Sequence, residues 1–264
     1  MSVKIDPLAI VGKKAHLGEN VQIGPYCIIG DDVVIGDGTT VAAYAIVQNG
    51  TRLGNENKIA SFASIGGAPQ DLKYNGEPTL LEVGDRCDIR EYVTMNRGTG
   101  ETGKTKVGSD CLFMANSHVG HDCLVGDQCI LANSVALGGH AELGNWVIVG
   151  GLSPVHQFTH IGDHAIVGGG FRVAKDVPPY VSAGRVPLSY EGLNVRGLRR
   201  RGFTTEKIEL ISKAFVLLYN SNLNVSQAVA RIKTDLPQTP EIQNIVTFIA
   251  GSKRGIIAPP RHHE

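Results

Sequence analysis

An apolar residue returns every six positions along most of this 264-residue chain, and this repeat limits the fold more than any other feature. The frame runs without a slip from Val11 to Val173, and within it only Asp71, Glu77 and Glu101 are not apolar. A period of six fits neither an α-helix nor the two-residue alternation of a strand. It is typical of a solenoid in which three six-residue faces form one triangular coil, with apolar side chains inside and glycine easing the corners.

Successive coils of such a solenoid pair as parallel strands. We therefore predict a mainly β chain that forms a parallel β-helix of hexapeptide repeats over residues 1–187. Two polar, turn-rich stretches that interrupt the repeat, 67–82 and 98–105, are predicted to project from it as loops.

The repeat ends after Pro178-Pro179, and the composition changes. Later stretches have the apolar spacing of helices, and each follows a residue type that caps helix N-termini. These candidate caps are Thr204, Asn224 and Thr239. We predict a small α-helical domain over residues 188–264, which would cover the open end of the solenoid.

Composition excludes several classes of function. Lys and Arg together number 25 and Asp and Glu also number 25, so a general electrostatic attraction to nucleic acid is not expected. No apolar run is long enough to span a bilayer and no signal peptide is evident, which predicts a cytoplasmic protein without stable membrane insertion. The five cysteines share one repeat position and form no CxxC pair, so we predict buried thiols.

Residues 18 positions apart should lie in one column of the solenoid. By this rule His118, His121, His140 and His156 gather along one stretch, whereas a lone histidine such as His16 is expected simply to face water. Asp122 is adjacent to His121 in sequence, and Gly139 lies one coil away from it. A histidine base needs a partner that fixes its tautomer, and acyl transfer needs an N–H aimed at the oxyanion, so this group predicts acid–base catalysis.

Zinc is the competing interpretation of these imidazoles. Nothing in the repeat frame brings three ligands together within one chain, so a zinc site would need histidines from two subunits. We therefore predict no metal.

Five segments then carry a resemblance to a known family. They are QDLKYNGEPT at 70–79, SHVGHDC at 117–123, GGLSPVHQF at 150–158, DVPPY at 176–180 and GLNVRGLRRRGF at 192–203. Over essentially its whole length the chain resembles the UDP-N-acetylglucosamine O-acyltransferases that begin lipid A biosynthesis.

The resemblance implies a left-handed β-helix and a homotrimer with active sites between neighbouring subunits. It also implies transfer of a 3-hydroxyacyl chain from acyl carrier protein to the 3-position of UDP-N-acetylglucosamine. No separate cofactor is implied, because phosphopantetheine enters on the donor.

The resemblance also implies roles for single residues. His121 would be the general base, Asp122 would orient it, and the Gly139 N–H would stabilise the oxyanion. The residues implied to hold substrate are Asp71, Lys73, Asn96, His118, His140, His156, Gln157, Asn194, Arg200 and Arg201. Gly169 falls where the family sets acyl length, and the absence of a side chain there favours a long chain, although Phe171 is nearby. The arginines at 199–201 suit an acidic carrier protein, although a run of charges is usually only a solvated helix face.

Two positions depart from the family pattern. Asn96 stands where the family usually has histidine, and Arg196 stands where glutamate is common. The acceptor could therefore be an amino UDP-sugar. Three further alternatives remain open: another hexapeptide acyltransferase, a carbonic-anhydrase-like zinc enzyme on the same fold, and a non-catalytic scaffold.

Overall fold

A computed structural model describes residues 2–259 of the chain. Most strands have only two or three residues, as a six-residue repeat of one short face and one corner requires. The strands, in chain order, are β1 Lys4–Ile5, β2 Ile10–Val11, β3 His16–Leu17, β4 Gln22–Ile23, β5 Ile28–Ile29, β6 Val33–Ile35, β7 Thr40–Val41, β8 Ile46–Val47, β9 Thr51–Leu53, β10 Lys58–Ile59, β11 Ser64–Gly67, β12 Leu80–Val83, β13 Asp88–Ile89, β14 Thr94–Asn96, β15 Lys104–Val107, β16 Leu112–Phe113, β17 His118–Val119, β18 Leu124–Val125, β19 Ile130–Leu131, β20 Ala136–Leu137, β21 Glu142–Leu143, β22 Ile148–Val149, β23 Pro154–Val155, β24 His160–Ile161, β25 Ile166–Val167, β26 Val181–Gly184 and β27 Ser189–Leu193.

Every third strand belongs to the same face, which gives three parallel sheets that run the length of the solenoid. The first sheet begins at β1 and continues through β4 and β7 to β25, the second runs from β2 to β23, and the third from β3 to β24. β26 then extends the first sheet in parallel and β27 closes it in antiparallel orientation. The predicted parallel β-helix is confirmed.

The repeat residues fill the interior. Side chains such as Ile29, Phe113 and Leu137 are fully buried, and all five cysteines are buried free thiols, as predicted. Burying an aliphatic side chain of this size contributes about 1.5–3 kcal/mol, so the stack of coils supplies most of the apolar stabilisation.

Our explanation for the repeat glycines was wrong. At most corners the left-handed backbone is adopted by other residues, including Tyr44 at φ 63° and Asp122 at φ 60°. The repeat glycine is needed for a different reason: a Cβ on Gly108 would lie 2.7 Å from the backbone of Gly126 in the next coil. Close stacking of the coils therefore selects glycine.

Two segments leave the solenoid between consecutive strands, residues 68–79 between β11 and β12 and residues 97–103 between β14 and β15. In the first sheet the coils before and after each excursion stay in register: Ile59 pairs with Ile89, and Ile89 pairs with Phe113. The β11–β14 pair, from which both excursions leave, shifts register at Gly67. Both excursions emerge at the corner between the second and third sheets. The histidine cluster lies at this corner.

Four helices follow the solenoid: α1 Val195–Arg200, α2 Thr205–Tyr219, α3 Val225–Asp235 and α4 Pro240–Gly251. Thr204 and Asn224 cap α2 and α3 as predicted, and Asn224 forms a capping box with Gln227. Thr239 is also the N-cap residue of α4, as predicted, but its side chain makes no capping hydrogen bond and its buried hydroxyl has no partner among the described residues.

α1 was not predicted, and β27 lies inside the segment that we assigned to helices. Residues 260–264, the end of that segment, lie outside the described residues. Asn244 on α4 donates to Asp163 and to Tyr180, which ties the helices to the last coils. Of the helices within residues 2–259, none combines the length and apolar character needed to cross a bilayer.

Candidate active site

The first element of the site is a histidine–aspartate pair at one corner. His121 Nδ1 lies 2.7 Å from Asp122 Oδ2, and the Asp122 side chain is fully buried. An ionised carboxylate only accepts hydrogen bonds, so Nδ1 carries the proton. His121 Nε2 is left as the unprotonated nitrogen, and it can accept a proton from a substrate.

Gly139 lies directly against the ring of His121. A Cβ at residue 139 would lie 2.4 Å from Cε1 and 2.5 Å from Nε2 of His121, so only glycine leaves room for this ring. The contact is secured by the backbone of the next residue, because the His140 N–H donates to the His121 carbonyl at 3.0 Å. The predicted column of His121 and Gly139 is therefore present.

The Gly139 N–H has no acceptor among residues 2–259, and a comparison with a neighbouring corner shows why. At that corner a side chain one coil ahead accepts each equivalent N–H: Asn145 Oδ1 accepts from Asp127, and Asp163 Oδ1 accepts from Asn145. In the histidine column the residue one coil ahead of Gly139 is Gln157, which makes no such bond. An N–H that could stabilise an oxyanion is therefore free beside the imidazole.

His140 occupies the same corner one coil above Asp122. Its Nε2 lies 3.4 Å from Asp122 Oδ2 and 3.7 Å from Glu101 Oε2. Its ring stacks on Phe158 at a centroid distance of 4.5 Å and meets the ring of His121 edge-on at 5.4 Å. Two imidazoles therefore share one carboxylate.

His118 and His156 lie at the edge of the same cluster. His118 Nδ1 is 2.7 Å from the Thr94 hydroxyl, and burial, with a smaller effect of His121, holds the pKa of His118 below its ordinary value. His156 Nδ1 is 3.0 Å from the Gln157 carbonyl, and the residue is half-buried. Both imidazoles are thus held at Nδ1 by a neighbouring oxygen, and neither Nε2 has a hydrogen-bond partner among the described residues.

The two excursions build a wall next to the pair. Asp71 and Lys73 line a cavity of about 240 Å³ that also includes Thr99 and Glu101 from the second excursion. Arg97 fixes the base of the first excursion by donating to the carbonyls of residues 49 and 66 and to the Tyr74 hydroxyl.

Asn96 is buried behind this wall. Its Nδ2 donates to the Ala68 carbonyl at 2.8 Å, and its Oδ1 has no partner among the described residues. β14 pairs with β17 up to Met95 and Val119, so Asn96 follows at the start of the corner that carries His121 and Asp122. An unsatisfied buried carbonyl oxygen there can accept a hydrogen bond from a substrate donor.

The expectation that one chain cannot bring three metal ligands together was wrong. Ligand atoms of His121, Asp122 and His140 lie within 4.8 Å of one another. However, Thr99 and Thr102 donate to the Asp122 oxygens, besides His121. A metal ion would have to displace these donors, so the arrangement fits proton transfer better than metal binding.

Comparison with known proteins places this geometry in a family. A family model described as Udp N-acetylglucosamine O-acyltransferase, Domain 2, matches residues 176–257, and the bacterial transferase hexapeptide model matches 14–49 and 104–139. An acyl-[acyl-carrier-protein]–UDP-N-acetylglucosamine O-acyltransferase of Myxococcus xanthus is 48% identical over 194 residues, 73% of this chain and 75% of the relative. The chain belongs to the UDP-N-acetylglucosamine O-acyltransferase family.

Solved structures of the family agree over nearly the whole chain. The UDP-N-acetylglucosamine acyltransferase of Bacteroides fragilis has a TM-score of 0.94 at 45% identity, covering 96% of this chain and 99% of that one. The enzyme of Acinetobacter baumannii has a TM-score of 0.93 at 43% identity, with the same coverage. The protein is therefore an acyltransferase, and a non-catalytic scaffold or a zinc hydratase is not favoured.

Three residues that the family resemblance assigns to substrate lie outside the imidazole cluster of their own chain. Asn194 is the N-cap of α1: its side chain accepts from the Gly197 N–H and donates to the His164 carbonyl. Arg201 packs its guanidinium over Trp146 at 4.9 Å. Arg200 is exposed on α1. Substrate contact by these residues stays a prediction.

Gly169 lies beside Gly151, where a Cβ would come 3.1 Å from the Gly151 carbonyl oxygen. Phe171 does not fill this position but packs against Gly168, where a Cβ would lie 2.9 Å from its ring. A role for Gly169 in acyl length therefore also stays a prediction.

His164 is expected to make the stability of the acyltransferase depend on pH. It stacks between Trp146 and Tyr180, and burial, then the charge of Arg201, lowers its pKa to about 4. Because this value lies below that of the unfolded chain, the stabilisation is complete above about pH 6.5 and is lost as the pH falls towards 4. His164→Phe should retain the stacking and weaken this dependence.

Urea unfolding at about pH 7 and about pH 5 would measure the effect, with the exposed His16→Phe as control. A steep acid loss of stability that remains unchanged in His164→Phe would contradict this assignment.

Sequence reasoning missed several side chains that shape the site. Thr99 and Thr102 reach Asp122 from the second excursion, Phe158 stacks on His140, and Thr94 contacts His118. Phe158 could have been found, because it lies 18 positions after His140. Thr99 and Thr102 lie where the repeat frame is interrupted, so no column rule applies to them.

Proposed function

We propose that this acyltransferase moves a 3-hydroxyacyl chain from acyl carrier protein to the 3-hydroxyl of UDP-N-acetylglucosamine, the first step of lipid A biosynthesis. The observation that carries the proposal is the contact of His121 with both Asp122 and Gly139. It joins a base of defined tautomer to a free backbone N–H, within a family whose members are named for this reaction.

The geometry supports a direct transfer. His121 Nε2 accepts the proton of the sugar 3-hydroxyl while the oxygen of that hydroxyl attacks the thioester carbonyl carbon. The Gly139 N–H donates to the oxyanion of the tetrahedral intermediate. When the C–S bond breaks, the imidazolium returns its proton to the departing thiolate of the carrier protein. Asp122 stabilises the imidazolium between these two steps.

The remaining family assignments fit as substrate contacts around this centre. His118, His140, His156 and Gln157 line the corner, and Asp71 and Lys73 approach it from the first excursion. Asn96 Oδ1, which lacks a partner, would accept a hydrogen bond from the acceptor sugar. Both a hydroxyl and an amine can donate it, so an amino UDP-sugar is the second candidate acceptor.

We also propose that the active form is a homotrimer in the cytoplasm. Tyr26, Tyr44, Phe62 and Tyr92 form a stacked ladder along one corner, and each ring is about half exposed. An extended apolar surface of this kind is typical of a protein contact. A neighbouring subunit could then bring Arg200 to the histidine cluster, which no contact within residues 2–259 of one chain does.

A substrate panel tests the reaction directly. The purified protein would be incubated with 3-hydroxyacyl carrier proteins of different chain lengths and with UDP-N-acetylglucosamine or its 3-amino analogue, and the products read by mass spectrometry. We expect a 3-O-acyl product. Acylation of the amino sugar alone would favour the second acceptor, and no product with any pair would reject the proposed function.

A further inference from the structure

The carboxylate of Asp122 accepts hydrogen bonds from four donors, only one of which is the ring of His121. Oδ1 accepts from the Thr99 N–H at 2.9 Å and from the Thr102 hydroxyl, and Oδ2 accepts from the Thr99 hydroxyl at 2.9 Å. His121 Nδ1 then binds Oδ2 as well. Since a carboxylate offers about four lone-pair sites, the group is saturated.

Both threonines come from the second excursion, residues 97–103, and its backbone is built to present them. The Gly103 N–H donates to the Thr99 carbonyl at 2.8 Å, which closes the turn. A Cβ on Gly98 would lie 2.4 Å from the backbone of Lys104, so the two ends of the excursion pack directly against each other and only glycine fits there. The excursion thus holds two hydroxyls against a carboxylate that faces no solvent.

We propose that Thr99 and Thr102 are positioning residues of the reaction, whose hydroxyls fix the Asp122 carboxylate and through it the ring of His121. This inference rests on the proposed function, because it assigns the threonines to the same catalytic pair. Neither threonine is proposed to touch substrate.

The hydroxyls keep Asp122 ionised as well as oriented. Burial raises the pKa of Asp122, but the Thr102 hydroxyl, His121 and Thr99 outweigh it and hold the pKa below its ordinary value. The Thr102 hydroxyl also lies 3.0 Å from the Lys104 carbonyl, and its single proton goes to the charged acceptor because that bond is stronger.

Loss of the two hydroxyls has a defined consequence for His121. Without the hydrogen bonds from the two hydroxyls, the negative charge of Asp122 is less compensated and attracts the imidazolium of His121 more strongly. His121 therefore holds its proton more tightly. The other titratable groups around the pair are His140, Glu101 and His118, and the substitutions leave them in place.

Thr99→Val and Thr102→Val test this, since valine keeps the branched shape and removes only the hydroxyl. The double variant is expected to lower kcat about tenfold or more, the effect expected when hydrogen bonds to a charged group are lost, with KM for both substrates nearly unchanged. The acid limb of its pH profile should move to higher pH. Serine at both positions should restore kcat and the acid limb.

Thr79→Val is the matched control. Thr79 is a buried threonine at the end of the first excursion, and its hydroxyl has no partner among the described residues. It should keep the kcat and the pH profile of the parent protein. A double valine variant with unchanged kcat and acid limb, or a loss that serine does not restore, would overturn the proposal.

Titration of the His121 ring nitrogens by NMR separates this proposal from the proposed function, because it needs no turnover. If the parent protein acylates neither sugar, the proposed function fails, and the titration still tests the threonines. A pKa of His121 that is the same in the parent and the double valine variant would reject their role even if acyl transfer is established.

Discussion

Replacement of His121 by alanine is expected to abolish nearly all acyl transfer, lowering kcat by about 10²–10⁴-fold, the usual contribution of a general base. The methyl group of alanine cannot accept the proton of the sugar hydroxyl, and no other described side chain takes the position of Nε2 against Gly139. The fold should survive, because His121 contributes its backbone to the corner and its ring lies outside the packed interior.

The measurement is the steady-state rate of product formation, with the melting temperature as a check on folding. His16→Ala is the matched control, since His16 lies on the third sheet, is exposed, and is remote from the cluster. Undiminished turnover of His121→Ala would reject the mechanism. A loss of activity shared by His16→Ala would point to a general effect of removing an imidazole.

The repeat predicted that His121 and Gly139 lie together because the solenoid follows a single geometric rule. With three faces per coil, residues 18 apart must stack, so His121, Gly139 and Gln157 could be aligned from their numbers alone. The same rule placed the cysteines in the interior, where all five are buried. The rule says which residues share a column. It therefore predicts the positions of Cα atoms far better than it predicts the contacts of side chains.

The frame could not predict what lies outside it. Thr99 and Thr102 belong to an excursion whose path depends on local turns, and their contacts with Asp122 cross 20 or more positions of sequence. The column rule placed Gly139 beside His121, but only the structure shows that its N–H has no acceptor among the described residues. Asn194 was assigned from family resemblance, and its capping of α1 emerged only from the structure.

Gly139→Ala is expected to reduce acyl transfer about 10²-fold or more without unfolding the protein, since a misplacement of about 1 Å in a reacting group costs that much. The new Cβ would lie 2.4 Å from the ring of His121, so the ring must turn away from the sugar hydroxyl. The obstacle is a side chain at the surface of the coil, which can move without disturbing the ladder.

Gly126→Ala separates this effect from simple strain. Its Cβ would lie 2.7 Å from the backbone of Gly144, which cannot move without opening the stack, so we expect a loss of about 1–3 kcal/mol in unfolding free energy. Its kcat per folded molecule should remain near that of the parent protein. Gly139→Ala should therefore lose activity and keep its melting temperature, whereas Gly126→Ala should lose melting temperature and keep its activity. Equal rates for Gly139→Ala and the parent would mean that the contact of residue 139 with the imidazole plays no part in transfer.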